Sequence, residues 1–314
     1  MSQANRIRGV LSPVVTPFKN DLSPDAKRLI GHCRWLLSQN CGLAVFGTNS
    51  EANSQSAKEK MLLLDALVAA KIDPARMMPG TGACSLTETV ELTSHAVKHG
   101  AAGVLMLPPF YYKGVPEDGL VRYFSEVIER VADPRLKIYL YHIPPIAVVG
   151  ITPGLVEKLL KRYPQQIAGM KDSSGDWSNT KVFLDAFAKQ GFDVFVGSES
   201  FLLQGLRNGG VGTISATANV NPGAIDKLYR EWQNADADVQ QAALNLARDT
   251  FGKKYLMIAA LKAGIAHFSG DAEWANTRPP LMPLTAEQQA SLATELAAIG
   301  FTMPGLKEIY AKAA

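Results

Sequence analysis

The stretch KIYLYHIPPIAVVGITPGLVEKLLKRYPQQIAGMKDSSGD, residues 137–176, holds two short apolar runs, Lys137–Ile143 and Ile167–Met170. Between them lies an amphipathic segment of helix length, Pro153–Arg162. Neither run alternates apolar with polar residues, and continuous apolarity belongs to parallel strands buried on both faces. Thr152-Pro153 supplies a capping hydroxyl followed by a residue suited to the first helical turn. The segment therefore predicts a strand, a crossover helix and a second strand parallel to the first.

The same alternation extends in both directions. Further apolar runs are Gly9–Val15, Leu43–Phe46, Met77–Pro79, Gly103–Leu107, Asp193–Val196 and Gly210–Ser215. Helix-like segments include Ala57–Ala70 and Thr87–His99, with helix starts expected at Ser23-Pro24 and Ser85. Eight strands alternating with helices predict an α/β fold, a (β/α)8 TIM barrel. The competing architecture is an open doubly wound sheet. Against it, the first strand runs into TPFKNDLSPD with no GxGxxG turn, and Gly80-Thr81-Gly82 is too short to be that fingerprint. From residue 222 onward only helices are expected, over Pro222–Gln233, Asp236–Phe251, Tyr255–Phe268 and Ala286–Gly300. Residues 1–221 read as the barrel carrying the active site, and 222–314 as a C-terminal helical region packed on it.

With 47 % hydrophobic and 19 % charged residues, the chain can bury a large core. Its 32 basic and 29 acidic residues are interspersed, with no basic run or aromatic-interleaved patch, so nucleic acid is not an expected partner. The N-terminus MSQANRIRG lacks the apolar core of a secretory signal, and apolar stretches such as Ala101–Phe110 are too short to span a membrane. Cys33, Cys41 and Cys84 form neither an even framework nor a CxxC pair, which fits a reducing cytoplasmic location.

Barrel active sites sit at the C-terminal ends of the strands. That rule selects Gly47-Thr48-Asn49-Ser50-Glu51, Pro108–Tyr112, Tyr141 to Pro145 and Lys171–Asp176. Lys171 follows the apolar Ile167–Met170, so its stem is expected to rise from the strand into the barrel mouth. A free lysine titrates near ~10.4, leaving about one part in a thousand neutral at pH 7. Desolvation in an apolar wall supplies a nucleophilic amine for attack on a ketone. The spacing equally allows a lysine paired with Asp172 or Asp176 at the rim. Tyr141, on the neighbouring strand, is placed to carry protons, or to serve as a core aromatic. Gly47, Thr48 and Asn49 offer backbone N–H groups, a hydroxyl and an amide suited to a carboxylate, although such a turn is also an ordinary strand–helix connection.

No metal site and no cofactor are expected. Of His32, His95, His99, His142 and His267, only His142 falls at a predicted strand end. His95 and His99 have metal-compatible i, i+4 spacing but belong to a barrel helix, where packing or surface roles suffice. There is no nucleophile elbow.

Taken together, GTNSE, PPFYY, YHIPP and GMKDSSGD resemble the dihydrodipicolinate synthase/N-acetylneuraminate lyase family of pyruvate-dependent aldolases. GVLSPVVTPF at Gly9–Phe18, GTGA at Gly80–Ala83 and GTISATANVNP at Gly212–Pro222 extend the resemblance over nearly the whole chain. It implies a TIM barrel with C-terminal helices, usually a homotetramer built from two tight dimers. It further implies Lys171 as the Schiff-base lysine, Tyr141 as the proton relay and Thr48 as the first hydroxyl of the G-[TS]-[TS]-G-E turn. By the same match Asn49 contacts the pyruvate carboxylate, and Gly197 and Ile214 line the pyruvate end. Tyr111 or Tyr112, with loop length favouring Tyr112, corresponds to a tyrosine inserted across the dimer interface.

Departures from the family pattern bear on the second substrate. Dihydrodipicolinate synthases carry an arginine after the YNVP-type turn to hold the carboxylate of aspartate semialdehyde. Here the stretch Tyr141 to Val148 has none, and Ile146 cannot replace a bidentate guanidinium. Ala57, Lys60 and Cys84 stand where lysine-sensitive members carry polar or histidine ligands. Ser50 replaces the motif glycine, and Asn49 is similar to the 4-hydroxy-2-oxoglutarate aldolase branch. The leading expectation is a lyase joining or cleaving pyruvate and an aldehyde, through a 4-hydroxy-2-oxo acid or 2-keto-3-deoxy sugar acid. The alternatives are an authentic dihydrodipicolinate synthase and a non-catalytic barrel that binds a 2-oxo acid.

Overall fold

The computed structural model describes residues 6–313. Seven parallel strands occur among them: β1 (Gly9–Ser12), β2 (Gly42–Leu43), β3 (Val104–Met106), β4 (Ile138–His142), β5 (Ile167–Asp172), β6 (Asp193–Val196) and β7 (Gly212–Ile214). The α/β class with parallel strands is as expected; the count of eight is not. Met77–Pro79 forms no strand, and the local pairing is a single parallel bridge between Gly80 and Leu105. Pro79 accepts from the Leu105 N–H at 2.9 Å but has no N–H to return, which stops a ladder from growing there.

The chain divides into two compact units. The first comprises the chain up to Gly9 together with Asp73–Ile214. Its strands run in the order β7-β6-β5-β4-β3. Val104, Met106, Ile138, Leu140, Met170, Val194 and Phe195 are fully buried along it, as continuous apolar strands covered on both faces must be. Tyr139 fills this interior, and Gly103 makes room for it: a Cβ there would lie 2.7 Å from the Tyr139 ring. Helices over Leu86–Lys98, Glu117–Val131, Pro153–Arg162 and Trp177–Phe187 accompany the strands. Two start as the sequence predicts, with Ser85 accepting from the Glu88 N–H and Thr152 from the Leu155 N–H.

The second unit comprises Val10–Ile72 and Ser215–Ala314. It contains the β1–β2 pair, with Leu11 opposite Gly42 and Ser12 opposite Leu43. Its first helix, Ala26–Ser38, begins two residues later than Ser23-Pro24 suggests, because Asp25 supplies the cap to the Arg28 N–H. Beyond residue 222 the structure is helical, over Pro222–Glu231, Ala237–Gly252, Met257–Ser269, Ala286–Ala298 and Leu306–Ala313. No helix among the described residues is long and apolar enough to cross a membrane.

Candidate active site

The first unit brings Lys171 and Tyr141 together. The β4–β5 ladder pairs Tyr141 with Lys171 and His142 with Asp172. Residues opposite each other in a parallel ladder project to the same face, so both side chains point the same way from adjacent strands. Lys171 Nζ donates to Tyr141 Oη at 3.2 Å and lies 4.3 Å from the ring centroid. Both residues are 3 % exposed. Lys171 is itself part of β5, directly opposite Phe195 on β6, and does not merely follow the strand. A strand end fixes the stem of a long side chain in a way that a loop does not.

The two carboxylates that could have claimed the lysine are engaged elsewhere. Asp172 accepts from the Ser174 N–H at 2.8 Å, from Thr180 Oγ1 at 2.6 Å and from Asn179 Nδ2 at 3.0 Å. Asp176 caps the helix Trp177–Phe187 by accepting from the Ser178 N–H at 2.8 Å. The DSSGD segment thus uses its acids to build the turn. Burial pushes His142 below its ordinary value, with the Asp172 charge opposing. Its Nδ1 accepts from the Ile151 N–H at 2.8 Å, so the imidazole is neutral and serves to tie β4 to the segment after it.

The other predicted residues of this unit surround the strand ends. Gly197 follows β6 and donates its N–H to Asp172 O at 2.7 Å. A Cβ at Gly197 would lie 2.0 Å from Ser173 Oγ and 2.6 Å from Asp172 O, so only glycine permits this approach. Ile214 closes β7 and is fully buried. Tyr111 and Tyr112 are each 73 % exposed and meet edge to face at 5.3 Å between ring centroids. Ile146 and Val148, after Tyr141, are exposed. Lys113 ties the tyrosine loop to this segment by donating to Phe110 O and Ala147 O.

Gly47, Thr48 and Asn49 lie in the second unit, with Thr48–Ser50 forming a single 3-10 turn. The Gly47 N–H donates to Ser50 Oγ at 3.1 Å, and the Ser50, Glu51 and Ala52 N–H groups close the turn onto Gly47 and Thr48 carbonyls. Glu51 ends it in a left-handed conformation, φ 55°. Sequence reading missed what holds this turn. Glu51 Oε1 meets Lys262 Nζ at 2.5 Å with both side chains fully buried, and Oε2 accepts from the Arg278 N–H at 2.8 Å. The signal was present in Ala259–Ala266, an apolar helical run broken by one lysine.

Comparison with known proteins decides the family. Residues 6–299 match the sequence profile of the Dihydrodipicolinate synthetase family. The chain belongs to this family. As a family member it is a class I pyruvate-dependent lyase. An uncharacterized DapA-like lyase of Chloroflexus aurantiacus is 33 % identical over 289 residues, covering 91 % of this chain and 94 % of that protein. The 4-hydroxy-tetrahydrodipicolinate synthase of Thermus thermophilus is 33 % identical over 303 residues, with the same coverage of 91 % and 94 %. Among solved structures, YagE is a prophage protein of the dihydrodipicolinic acid synthase family from E. coli K12, crystallised with pyruvate. It superposes with a TM-score of 0.85 at 27 % identity, covering 94 % of this chain and 99 % of that one.

Proposed function

We propose that this dihydrodipicolinate-synthetase-family lyase joins or cleaves pyruvate and an aldehyde through a Schiff base on Lys171. The observation that carries the reading is the Lys171–Tyr141 pair, 3.2 Å apart and buried at matched strand positions. The Lys171 amine attacks the C2 ketone of pyruvate, and loss of water leaves an iminium. The iminium withdraws electrons so that C3 gives up a proton, and the resulting enamine attacks the aldehyde carbon. Tyr141 carries the protons released and consumed in these steps. Thr48, Asn49 and the Gly47 backbone receive the carboxylate, Gly197 and Ile214 line the pyruvate end, and Tyr112 completes the relay of a neighbouring subunit. The pyruvate complex of YagE supports the choice of oxo acid.

The reading includes a TIM-type barrel in residues 1–221, with the Gly80–Leu105 bridge standing where an eighth strand was expected, followed by a helical region in 222–314, assembled as a cytoplasmic homotetramer. The exposed Tyr111 and Tyr112 support a subunit interface at their loop, which light scattering of the purified protein tests.

For the aldehyde half, Ile146 after the Tyr141 turn favours a 4-hydroxy-2-oxo acid or 2-keto-3-deoxy sugar acid over aspartate semialdehyde. A second reading, condensation of pyruvate with aspartate semialdehyde, draws support from the 33 % identical Thermus synthase. Borohydride trapping with pyruvate followed by intact mass tests the shared chemistry: one pyruvate adduct per chain is expected, and none would overturn it. A coupled assay then separates the two substrates. Robust turnover of aspartate semialdehyde would overturn the sugar-acid reading.

A further inference from the structure

The Thr48–Ser50 turn is held from behind by a network that has no part in the chemistry just described. Glu51 follows the turn directly, in a left-handed backbone conformation that is unfavourable for a non-glycine residue. Such a conformation persists only where its surroundings fix it. Three groups do so. Lys262 meets Oε1 at 2.5 Å, the Arg278 N–H meets Oε2 at 2.8 Å, and Gln55 Nε2 donates to Ser50 O at 2.7 Å. The Arg278 guanidinium then holds the far end of the same loop, donating to Ser54 O at 2.7 Å and to both oxygens of Glu59. Phe18 supports both cations, with Lys262 Nζ 4.4 Å and Arg278 Cζ 4.7 Å from its ring centroid.

A buried ion pair is a poor source of stability, because well-packed apolar residues in its place are often as stable or more so. The Glu51 and Lys262 side chains are both fully buried, and Lys262 lies on a helix whose Ala259–Ala266 segment is otherwise apolar. Burial pushes Lys262 down to about 8, and the Glu51 carboxylate is what opposes that shift. The pair therefore serves geometry better than it serves folding.

We infer that Lys262 and Arg278, acting through Glu51, are positioning residues that fix the Thr48–Asn49 turn and thereby set the affinity of the site for the carboxylate of its 2-oxo acid. The inference rests on the proposed function and extends it to two residues outside the reacting groups. Its signature is a change in pyruvate affinity that does not follow stability.

Calorimetric titration of the whole protein with pyruvate, alongside thermal melting, provides the test. Lys262→Met leaves Glu51 buried and uncompensated, so both stability and pyruvate affinity are expected to fall. Glu51→Gln combined with Lys262→Met removes both charges. It is expected to restore melting to near wild type while the pyruvate Kd stays about tenfold weaker, equivalent to about 1.4 kcal/mol. If the single variant does not fold, the double variant, which leaves no buried charge behind, carries the test by itself through the same comparison of melting with Kd. A double variant whose Kd returns with its melting temperature would overturn the inference, as would an unchanged Kd in every variant. A wild-type chain that binds no pyruvate would overturn the proposed function and this inference together. A wild type that traps pyruvate beside variants of unchanged Kd would overturn the inference alone.

Discussion

Lys171 Nζ stands 3.2 Å from Tyr141 Oη, and the strand register pairs the same two residues. Their contact is therefore set by backbone ladders on β4 and β5 and does not depend on a loop. If the lysine is the nucleophile, Lys171→Ala is expected to abolish the borohydride-trapped adduct and to cost several orders of magnitude in turnover. Tyr141→Phe keeps the aromatic body and is expected to slow turnover by roughly 10²–10⁴ while pyruvate still binds. Intact mass and single-turnover kinetics read both. An adduct surviving in Lys171→Ala would move the nucleophile elsewhere.

Thr180 gives its hydroxyl to Asp172 at 2.6 Å inside the protein. Thr180→Val keeps the shape and leaves a buried carboxylate short of one donor, at a cost of about 2 kcal/mol. A lower denaturant midpoint is expected, with the pyruvate adduct still forming on Lys171. Loss of the adduct in a folded variant would mean that Asp172 takes part in the chemistry.

Gly197→Ala puts a methyl group where Ser173 Oγ and Asp172 O already are. The ends of β5 and β6 must part, and about 2 kcal/mol of destabilisation is expected. Because Asp172 adjoins Lys171, trapping should slow as well. Melting and adduct formation both unchanged would show that the strand ends can yield freely.

His32 lies fully buried between Trp35 and Trp274, and burial holds it down at about 3 against an ordinary 6.5. Between those values the unfolded chain takes up a proton that the folded chain refuses. Stability should therefore fall as pH drops from about 6.5 toward 3, with no effect above that window. His32→Phe preserves the ring and should shrink the difference in urea midpoint between pH 7 and pH 5. An equal difference in both proteins would assign the acid sensitivity to other groups.

Much of this was legible in the sequence because parallel strands buried on both faces leave an unbroken apolar signature. Asp193–Val196 is the strand predicted, residue for residue, and Pro153–Arg162 is the helix predicted. Met77–Pro79 carries the same apolarity but lacks the donor a ladder needs, a deficit that hydropathy does not register. At the site, Lys171 and Tyr141 could be placed together because both lie on strands. The roles of Asp172 and Glu51 could not, since their partners Thr180, Lys262 and Arg278 are fixed by helix packing and by contacts distant in sequence.

Ile146 and Val148 present branched hydrocarbon to solvent just beyond Tyr141. Water against such surface has few strong partners, so whatever covers these side chains releases it with a negative heat-capacity change. The enthalpy of association at this spot should therefore grow more favourable on warming. A carboxylate gripped by a guanidinium would lack that dependence, and this gives a calorimetric fingerprint of what the segment after Tyr141 accepts.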